Sequence, residues 1–467
     1  MARQENKISK DELFSNAPVL QALAAMAVPT IISQLINLIY NMVDAFFIGR
    51  TGNSYMMAAT SVTLTMVMMN VALSNLFGVG GGSLTARLLG AGNEEEAKRV
   101  SAFSVYGAVT IAVVYSALIG IFLDPVLRFL GASDATIDYA RSYALIVIVI
   151  GSLPSILSLA LAHLLRNAGY STQASIGLSG GILNVALDPL FMFVLLPKGQ
   201  EVTGAALATT LSNVAACAYL LWAYKKAGRE APLSLGIRHA RAVNRVSVKS
   251  VFSVGVPSAL LTGLFDLANI CVNIIAAAHN DLVLAGMGIV MKVERIPNAI
   301  NVGLCQGMMP IVAYNYSAGN HERMKKTINL TRKVGLIVSG LCILLFQLFA
   351  DPASRLFLST KTGDTETALV TVAYAALFLR IRCVASPVQM TNYHASYCMQ
   401  AMGNGKATLL HAFVRELVFY IPLMFLLDKL FGEVGLASAL PVGEGLGAAF
   451  ALYLLHRIVN QKQIKEL

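Results

Sequence analysis

Charged residues are scarce in this sequence. Asp, Glu, Lys and Arg make up 13% of the 467 residues, whereas hydrophobic residues make up 56%. A soluble domain carries roughly 25% charged residues. A chain with so little charge cannot cover its apolar residues in water, so the composition excludes an ordinary soluble fold and indicates an integral membrane protein.

Cysteine is rare as well, with six residues in the whole chain. All six fall inside apolar segments and no two have the spacing of metal ligands, so we interpret them as small apolar residues. The polar residues 1–18 lack the short apolar core of a signal peptide. We therefore expect the first apolar segment to be retained as a helix.

Common catalytic and nucleotide-binding motifs are missing. The sequence has no Walker A loop, no evident His/Asp/Glu metal cluster and no nucleophile elbow, so we expect neither an enzyme nor a cofactor. The glycines of the stretch GVGGGS (78–83) lie within an apolar segment. Close helix contact or helix bending explains these glycines better than phosphate binding.

Twelve apolar segments are long enough to cross a bilayer, which takes about 20 mostly apolar residues. Their approximate cores are 20–48, 56–84, 101–123, 142–165, 174–196, 203–224, 252–278, 283–312, 333–350, 368–398, 407–427 and 434–456. The sequence therefore predicts an all-α integral membrane protein with twelve transmembrane helices, numbered here as spans one to twelve.

The positive charges fall mainly on one side of the predicted membrane. The side that holds both termini has 23 of the 35 Lys and Arg residues, the opposite loops have 7, and the rest lie within spans. By the positive-inside rule, both termini are expected in the cytoplasm. This distribution accounts for the net charge of +10 without a nucleic-acid partner.

The two halves of the chain resemble each other. The stretch GGSLTARLLGAGNEEEAKR (81–99) aligns with MMPIVAYNYSAGNHERMKK (308–326), so that Ala-Gly-Asn falls on Ala-Gly-Asn. Pro29 aligns with Pro257 in the same frame. Such a duplication is typical of transporters, whose substrate sites lie between the repeats.

The duplication predicts five segments. They are a cytoplasmic tail (1–18), an N-lobe of helices one to six (19–226), a basic linker (227–250), a C-lobe of helices seven to twelve (251–458) and a second tail (459–467). Because each lobe has an even number of spans, both lobes have the same orientation, and the repeat axis runs along the membrane normal.

Polar residues inside the N-lobe spans predict a cation or proton site. Asp188 follows Asn184 by four residues, which places both on one helix face, while Asp44 lies in span one and Thr209 in span six. Ionisable residues inside spans are costly and are often functional. The alternative is that Asp44 and Asp188 are helix-end residues wetted by outer headgroups.

A second set of residues is a candidate lining for a substrate cavity. It combines Met side chains, which suit promiscuous binding surfaces, with polar side chains that imply contact with water. The candidates are Gln34, Asn37, Met66, Met69, Asp266, Asn273, Met287 and Met291. Ordinary helix packing is the alternative for the methionines. A local ion pair is the simplest interpretation of Glu294, and Arg380, Arg382 and Glu444 have no assigned role.

As a combined pattern, several stretches resemble the multidrug and toxic compound extrusion (MATE) family. They are VPTIISQLINLIYNMVDAFFIGRTGN, ARLLGAGNEEEAKR, RNAGYST, ILNVALDPLFMF and GAALAT. The resemblance implies two six-helix bundles around a central cavity. It also implies export of organic cations or amphipathic drugs by antiport with H⁺ or Na⁺.

The resemblance maps the family's N-lobe cation site onto Asp44, Asn184, Asp188 and Thr209, and a helix-bending proline onto Pro29. Span ten carries arginines and no acid partner for Asp266, so no full C-lobe cation site is predicted. We expect a monomer in the bacterial inner membrane, in contact with lipid. A lipid-linked oligosaccharide flippase is the alternative, and it would need a basic cavity built from residues such as Arg380, Arg382 and Arg415.

Overall fold

The computed structural model describes residues 10–356 and 365–465. Over these ranges the chain is helical and contains no β-strand. Predicted tail residues 1–9, 466 and 467 lie outside the described residues. The chain divides into two compact units, and the following paragraphs treat each unit separately.

The first unit comprises residues 1–259, 306–327 and 401–403. Its helices are α1 (Lys10–Ser15), α2 (Val19–Arg50), α3 (Ser54–Gly90), α4 (Glu94–Ile121), α5 (Leu123–Phe129), α6 (Ile137–Ala144), α7 (Ser152–Asn167), α8 (Ser171–Leu178), α9 (Gly181–Leu190), α10 (Glu201–Ala227) and α11 (Ile237–Arg241), with the first part of α12 (Arg245–His279), the second part of α14 (Arg295–Ser317) and the start of α15 (His321–Leu356). Two π-helical stretches, Leu145–Ile150 and Phe191–Leu195, interrupt the predicted spans four and five.

The second unit comprises residues 260–305, 328–400 and 404–467. It contains α13 (Asp281–Val293), α16 (Thr365–Arg382), α17 (Ser386–Ala401), α18 (Gly405–Phe413) and α19 (Ile421–Lys465), with parts of α12, α14 (Arg295–Ser317) and α15 (His321–Leu356). A π-helical stretch, Val414–Tyr420, joins α18 to α19. The unit boundaries differ from the predicted lobe boundary near residue 250, and the lobes remain a sequence-based prediction.

The helices account for the predicted spans. Nine helices among the described residues are long and apolar enough to cross a membrane, or ten if Ile137–Ile150 and Ser152–Asn167, bent by 49°, form one span. The run 405–459 is counted once, but it is broken at Gly432, where φ is 61°, and therefore represents two spans. The helices α13 and α14, which are not in this count, together cover the predicted span eight. These two additions raise the number of spans from ten to twelve.

The glycines of α3 bring helices into close contact, as their position in an apolar span suggested. A Cβ on Gly80 would meet the backbone of Val251 and Gly255 in α12, and one on Gly81 would meet Ser104 in α4. A Cβ on Gly82 would meet the Asn167 side chain in α7. This turn of α3 therefore has to be free of side chains in three directions, because a different helix packs against each glycine.

The duplicated Ala-Gly-Asn sequence forms the same corner twice. Gly92 and Gly319 have φ values of 71° and 75°, a region that glycine adopts without strain. Asn93 accepts a hydrogen bond from the Glu96 backbone amide, and Asn320 accepts one from the amide of Arg323. In both copies glycine ends one helix and asparagine caps the next, so the sequence likeness extends to local geometry.

Candidate functional site

The candidate cation site is formed by three helices of the first unit. The helix α9 packs against α2 and α10, and this packing brings Asp44, Asp188 and Thr209 together at one end of the three helices. Asn184 and Asp188 are 1% and 0% exposed, whereas Asp44 and Thr209 are partly exposed. The four residues predicted from the sequence therefore lie in one region.

The amide of Asn184 links the site. Its Nδ2 donates to Asp188 Oδ1 at 3.2 Å and to Thr209 Oγ1 at 3.2 Å. The first bond spans four residues, as expected for two side chains on one face of a helix. Asn184 therefore orients a carboxylate and a hydroxyl from two different helices.

Three oxygen atoms at the site have no hydrogen-bond donor among the described residues. They are Asp44 Oδ1, Asp188 Oδ2 and Asn184 Oδ1. Asp44 and Asp188 interact electrostatically with each other, and no Lys or Arg in the described ranges forms an ion pair with either. A buried carboxylate without a counter-charge is unfavourable, so this oxygen-rich arrangement suits uptake of a proton or a hard cation.

Two tyrosines that the sequence analysis did not single out border the site. Tyr40 interacts electrostatically with Asp44 and Asp188, and Tyr143 lies beside both acids and Thr209. Tyr40 precedes Asp44 by one helical turn, so the spacing that linked Asn184 to Asp188 could have found it. Tyr143 is far from the other residues in sequence, and no local signal marks it.

Close packing fixes the position of Tyr40. A Cβ on Gly181, at the start of α9, would overlap the Tyr40 ring. Three residues later on the same helix is Asn184, which bonds Asp188. The absence of a side chain at Gly181 therefore lets the aromatic ring pack directly beside the acid-bearing helix.

The backbone changes its winding just after Asp188. Pro189 lies within α9 and provides no backbone N–H, and the next stretch, Phe191–Leu195, is π-helical. A Cβ on Gly204 of α10 would lie 2.9 Å from the backbone of Met192, so α10 packs closely against this stretch. Such π-helical insertions are frequent at functional sites.

Pro29 lies inside α2, which runs continuously from Val19 to Arg50. Hydroxyl groups surround the adjacent turn: Thr30 Oγ1 and Ser171 Oγ donate to the Met26 carbonyl at 2.8 and 2.7 Å. Ser33 Oγ donates to the Thr30 carbonyl at 2.9 Å. Hydroxyls bonded to helix carbonyls favour bending, so a bend here would have local hydrogen-bond support.

The N-lobe candidates for the substrate cavity occupy different environments. Gln34 and Asn37 are partly exposed, Met69 is 46% exposed, and Met66 is buried in a hydrophobic core. Gln34 Nε2 donates to Gln306 Oε1 at 3.2 Å. The same Gln306 oxygen accepts from Arg166 Nη1 at 3.0 Å.

Arg166 comes directly after the predicted span four (142–165) in the sequence. The residue lies in α7 and is 1% exposed. No local sequence signal marks Gln306, because its partners Gln34 and Arg166 are far away along the chain.

The C-lobe candidates belong to the second unit. Met287 is buried in a hydrophobic core and Met291 packs against that core. Asn273 is exposed, and Asp266 is partly exposed and interacts electrostatically with Arg295. Packing therefore explains Met287 in this structure, and the cavity assignment of the four residues stays a prediction.

Three arginines of the second unit are paired with carboxylates; Arg382 and Arg415 are buried, and Arg380 is exposed. The pairs are Arg380 with Asp351 at 2.7 Å, Arg382 with Glu294 at 2.9 Å and Arg415 with Glu444 at 2.5 Å. Glu294 therefore pairs with a distant arginine and not with its neighbours in sequence. These guanidinium groups are already neutralised, which does not favour the basic cavity required by the flippase alternative.

One family model, MatE, matches this chain twice, over residues 29–190 and 257–426. The chain belongs to the MATE family of transporters. The two matches begin at Pro29 and Pro257, the prolines aligned by the internal repeat, so the family model supports the duplication. Together they cover more than half of the sequence.

Relatives and solved structures agree with this assignment. The multidrug export protein MepA of Staphylococcus haemolyticus is 28% identical over 97% of both chains, and MepA of Staphylococcus aureus is 29% identical over 96% of both. A solved MATE transporter, described as an outward-facing conformation of a multidrug resistance member, has a TM-score of 0.89 at 21% identity. The alignment covers 96% of this chain and 98% of that one, which establishes the fold.

Proposed function

We propose that this MATE protein is a secondary antiporter that exports organic cations or amphipathic drugs in exchange for H⁺ or Na⁺. The curated relatives named above are multidrug export proteins, which supports the substrate class. We further propose that the protein acts in the bacterial inner membrane with both termini in the cytoplasm, and that Asp44, Asn184, Asp188 and Thr209 bind the coupling ion.

The observation that carries this proposal is the pair of acids without a counter-charge. Asp188 is fully buried, Asp44 is close enough to interact with it, and each has a carboxylate oxygen without a donor among the described residues. A proton on one acid would relieve their repulsion, and Na⁺ would be held by the same oxygens. Binding of either would change the charge inside the N-lobe.

In the proposed cycle, ion binding favours a conformation in which α2 bends near Pro29. The bend would narrow the N-lobe part of the cavity and displace the substrate, with residues such as Gln34 and Asn37 among its contacts. The ion drives the change only if it binds the two conformations with different affinity. The hydroxyl bonds of Thr30 and Ser171 around the adjacent turn support a helix that can adopt both shapes.

The test is ion-driven ethidium efflux from proteoliposomes that contain purified Asp44→Asn or Asp188→Asn protein. We expect the gradient-driven rate of each variant to fall at least about tenfold, because an amide does not bind and release a proton near neutral pH and lacks the carboxylate charge. Asp138→Asn is the matched control, since Asp138 is 83% exposed.

Efflux at the wild-type rate in both N-lobe variants would overturn the site assignment. A Na⁺ gradient at fixed pH and a pH gradient without Na⁺ are tested separately with the wild-type protein. The gradient that drives efflux identifies the ion, and efflux driven by neither would overturn the antiport proposal.

A further inference from the structure

A buried ionic cluster lies in the second unit, on helices that do not carry the Asp44–Asp188 site. Arg415 bonds Glu444 through Nε at 2.9 Å and Nη2 at 2.5 Å. Both side chains are 3% exposed. Asn392 Nδ2 also donates to Glu444 Oε2, at 2.6 Å, so that Glu444 has both a counter-charge and an amide donor.

Because Arg415 is paired with Glu444, the adjacent Glu416 has no counter-charge of its own in the described part of the chain. Its side chain is 4% exposed, and its Oε1 lies 3.5 Å from Arg415 Nε, which already bonds Glu444. The other oxygen, Oε2, is buried and has no hydrogen-bond partner among the described residues. Glu416 therefore shares a guanidinium that another carboxylate holds in bidentate geometry.

Within residues 10–356 and 365–465, the groups that interact with Glu416 supply no second positive charge. The side chains that interact electrostatically with Glu416 are Arg415, Glu444, Tyr393 of α17 and Tyr420. Tyr420 also interacts with Arg382. The Nε and Nη2 atoms of Arg382 each donate a 2.9 Å hydrogen bond to one oxygen of Glu294. Each arginine is thus matched by its own carboxylate, and a charged Glu416 would leave one negative charge in excess.

His411 also lies near Arg415, but its ring is engaged elsewhere. One ring nitrogen is 3.0 Å from Asn392 Oδ1 and the other is 2.9 Å from Ser396 Oγ. The histidine is therefore held by an amide and a hydroxyl, and it forms no hydrogen bond with Glu416 in this structure.

The location of Glu416 parallels that of Asp188. Glu416 lies in the π-helical stretch Val414–Tyr420, five residues before Ile421. In the internal repeat the stretch DPLFMF (188–193) aligns with IPLMFL (421–426), so that Ile421 falls on Asp188. Asp188 likewise lies next to a π-helical stretch, Phe191–Leu195. Each half of the chain therefore carries a buried acid beside a distorted turn on the fifth span of its repeat.

We propose that Glu416 is a proton-binding carboxyl of the second unit, separate from the site at Asp44 and Asp188. With a proton on Glu416, the three carboxyls (Glu294, Glu416 and Glu444) and the two guanidinium groups (Arg382 and Arg415) together carry no net charge. Loss of that proton places an uncompensated charge in an interior where desolvation is costly. This inference does not depend on the proposed antiport at Asp44 and Asp188.

Infrared difference spectroscopy tests the proposal directly, because a protonated carboxyl has a C=O stretch that is distinct from that of a carboxylate. The starting protein is Asp44→Asn/Asp188→Asn, reconstituted in lipid, so that the N-lobe acids do not contribute. We expect a protonated-carboxyl band that exchanges between acidic and alkaline buffer. A further substitution, Glu416→Gln, in the starting protein should abolish this band. The control substitution Glu322→Gln, at a side chain that is 79% exposed, should leave the band unchanged.

A band that persists with Glu416→Gln, or no such band in the starting protein, would overturn the proposal. If the Glu416→Gln protein does not fold, Glu416→Asp, which keeps a carboxyl at this position, takes its place. A titrating protonated band that changes frequency with Glu416→Asp supports the assignment, and an unchanged band refutes it.

Discussion

The ion pair between Arg382 and Glu294 yields a quantitative stability prediction. Both hydrogen bonds are 2.9 Å long, and the side chains are 3% and 12% exposed. Glu294 lies between α13 and α14, and Arg382 is the last residue of α16 before a 3₁₀ turn at Cys383–Ala385. The pair therefore joins two helix breaks within the second unit.

Removing one partner should be far more harmful than removing both. At an effective dielectric constant of about 20, two charges about 4 Å apart attract by about 4 kcal/mol. Arg382→Met or Glu294→Met leaves the other charge buried and should cost about 3–5 kcal/mol of unfolding free energy. The double substitution to Met removes both charges, and we expect it to lie within about 1 kcal/mol of wild type.

Equilibrium unfolding in mixed micelles measures the double-mutant cycle. Arg128→Met is the control, because Arg128 bonds Asp134 at 2.9 Å but the side chains are 57% and 90% exposed. An exposed pair contributes about 0–1 kcal/mol, so this control should change little. The reasoning is refuted if the double variant is destabilised by the sum of the two single variants, since that result shows no coupling.

Two further predictions concern local geometry. Gly181→Ala should displace the Tyr40 ring and lower ethidium efflux without loss of folded protein, whereas Gly263→Ala, with no atom within 4 Å of the added Cβ, should leave efflux unchanged. Equal rates for the two would contradict the role of Tyr40 packing. Asn93→Ala and Asn320→Ala should each cost about 1 kcal/mol of unfolding free energy through loss of a helix cap, and Asp at either position should restore it. No loss with Ala would show that the caps are dispensable.

Interactions within one helix could be predicted from the sequence, and interactions between helices could not. The spacing of Asn184 and Asp188 predicted a shared face, and the hydrogen bond between them follows from it. Thr209 became a candidate because of family resemblance as well as its place in span six. Tyr143 reaches the site only through the packing of α6, which no sequence periodicity specifies.

The same distinction holds for the buried charges. The prediction that Glu294 pairs locally used the nearest cations in sequence, but the partner in the structure is 88 residues away. Arg166 comes directly after the predicted span four, where a charged residue usually marks a helix end. Its long side chain instead lies inside the first unit, beside Gln306. Composition and hydropathy therefore predicted the spans, while the pairing of charges depends on tertiary contacts.

The π-helical stretches have a consequence for insertions and deletions. A π-helical stretch accommodates an extra residue within an α-helix, and one residue of an α-helix corresponds to a rotation of about 100°. Deleting one residue within Val414–Tyr420 would convert the stretch toward regular α-helix without breaking the span. Because the wide turn already holds the extra residue, the helix beyond would keep nearly its present rotation relative to α18, whereas the same deletion in a regular α-helix would turn it by about 100°. The fifth span of each half thus contains a place at which a single-codon deletion removes the distortion while the side chains beyond it still face the same way.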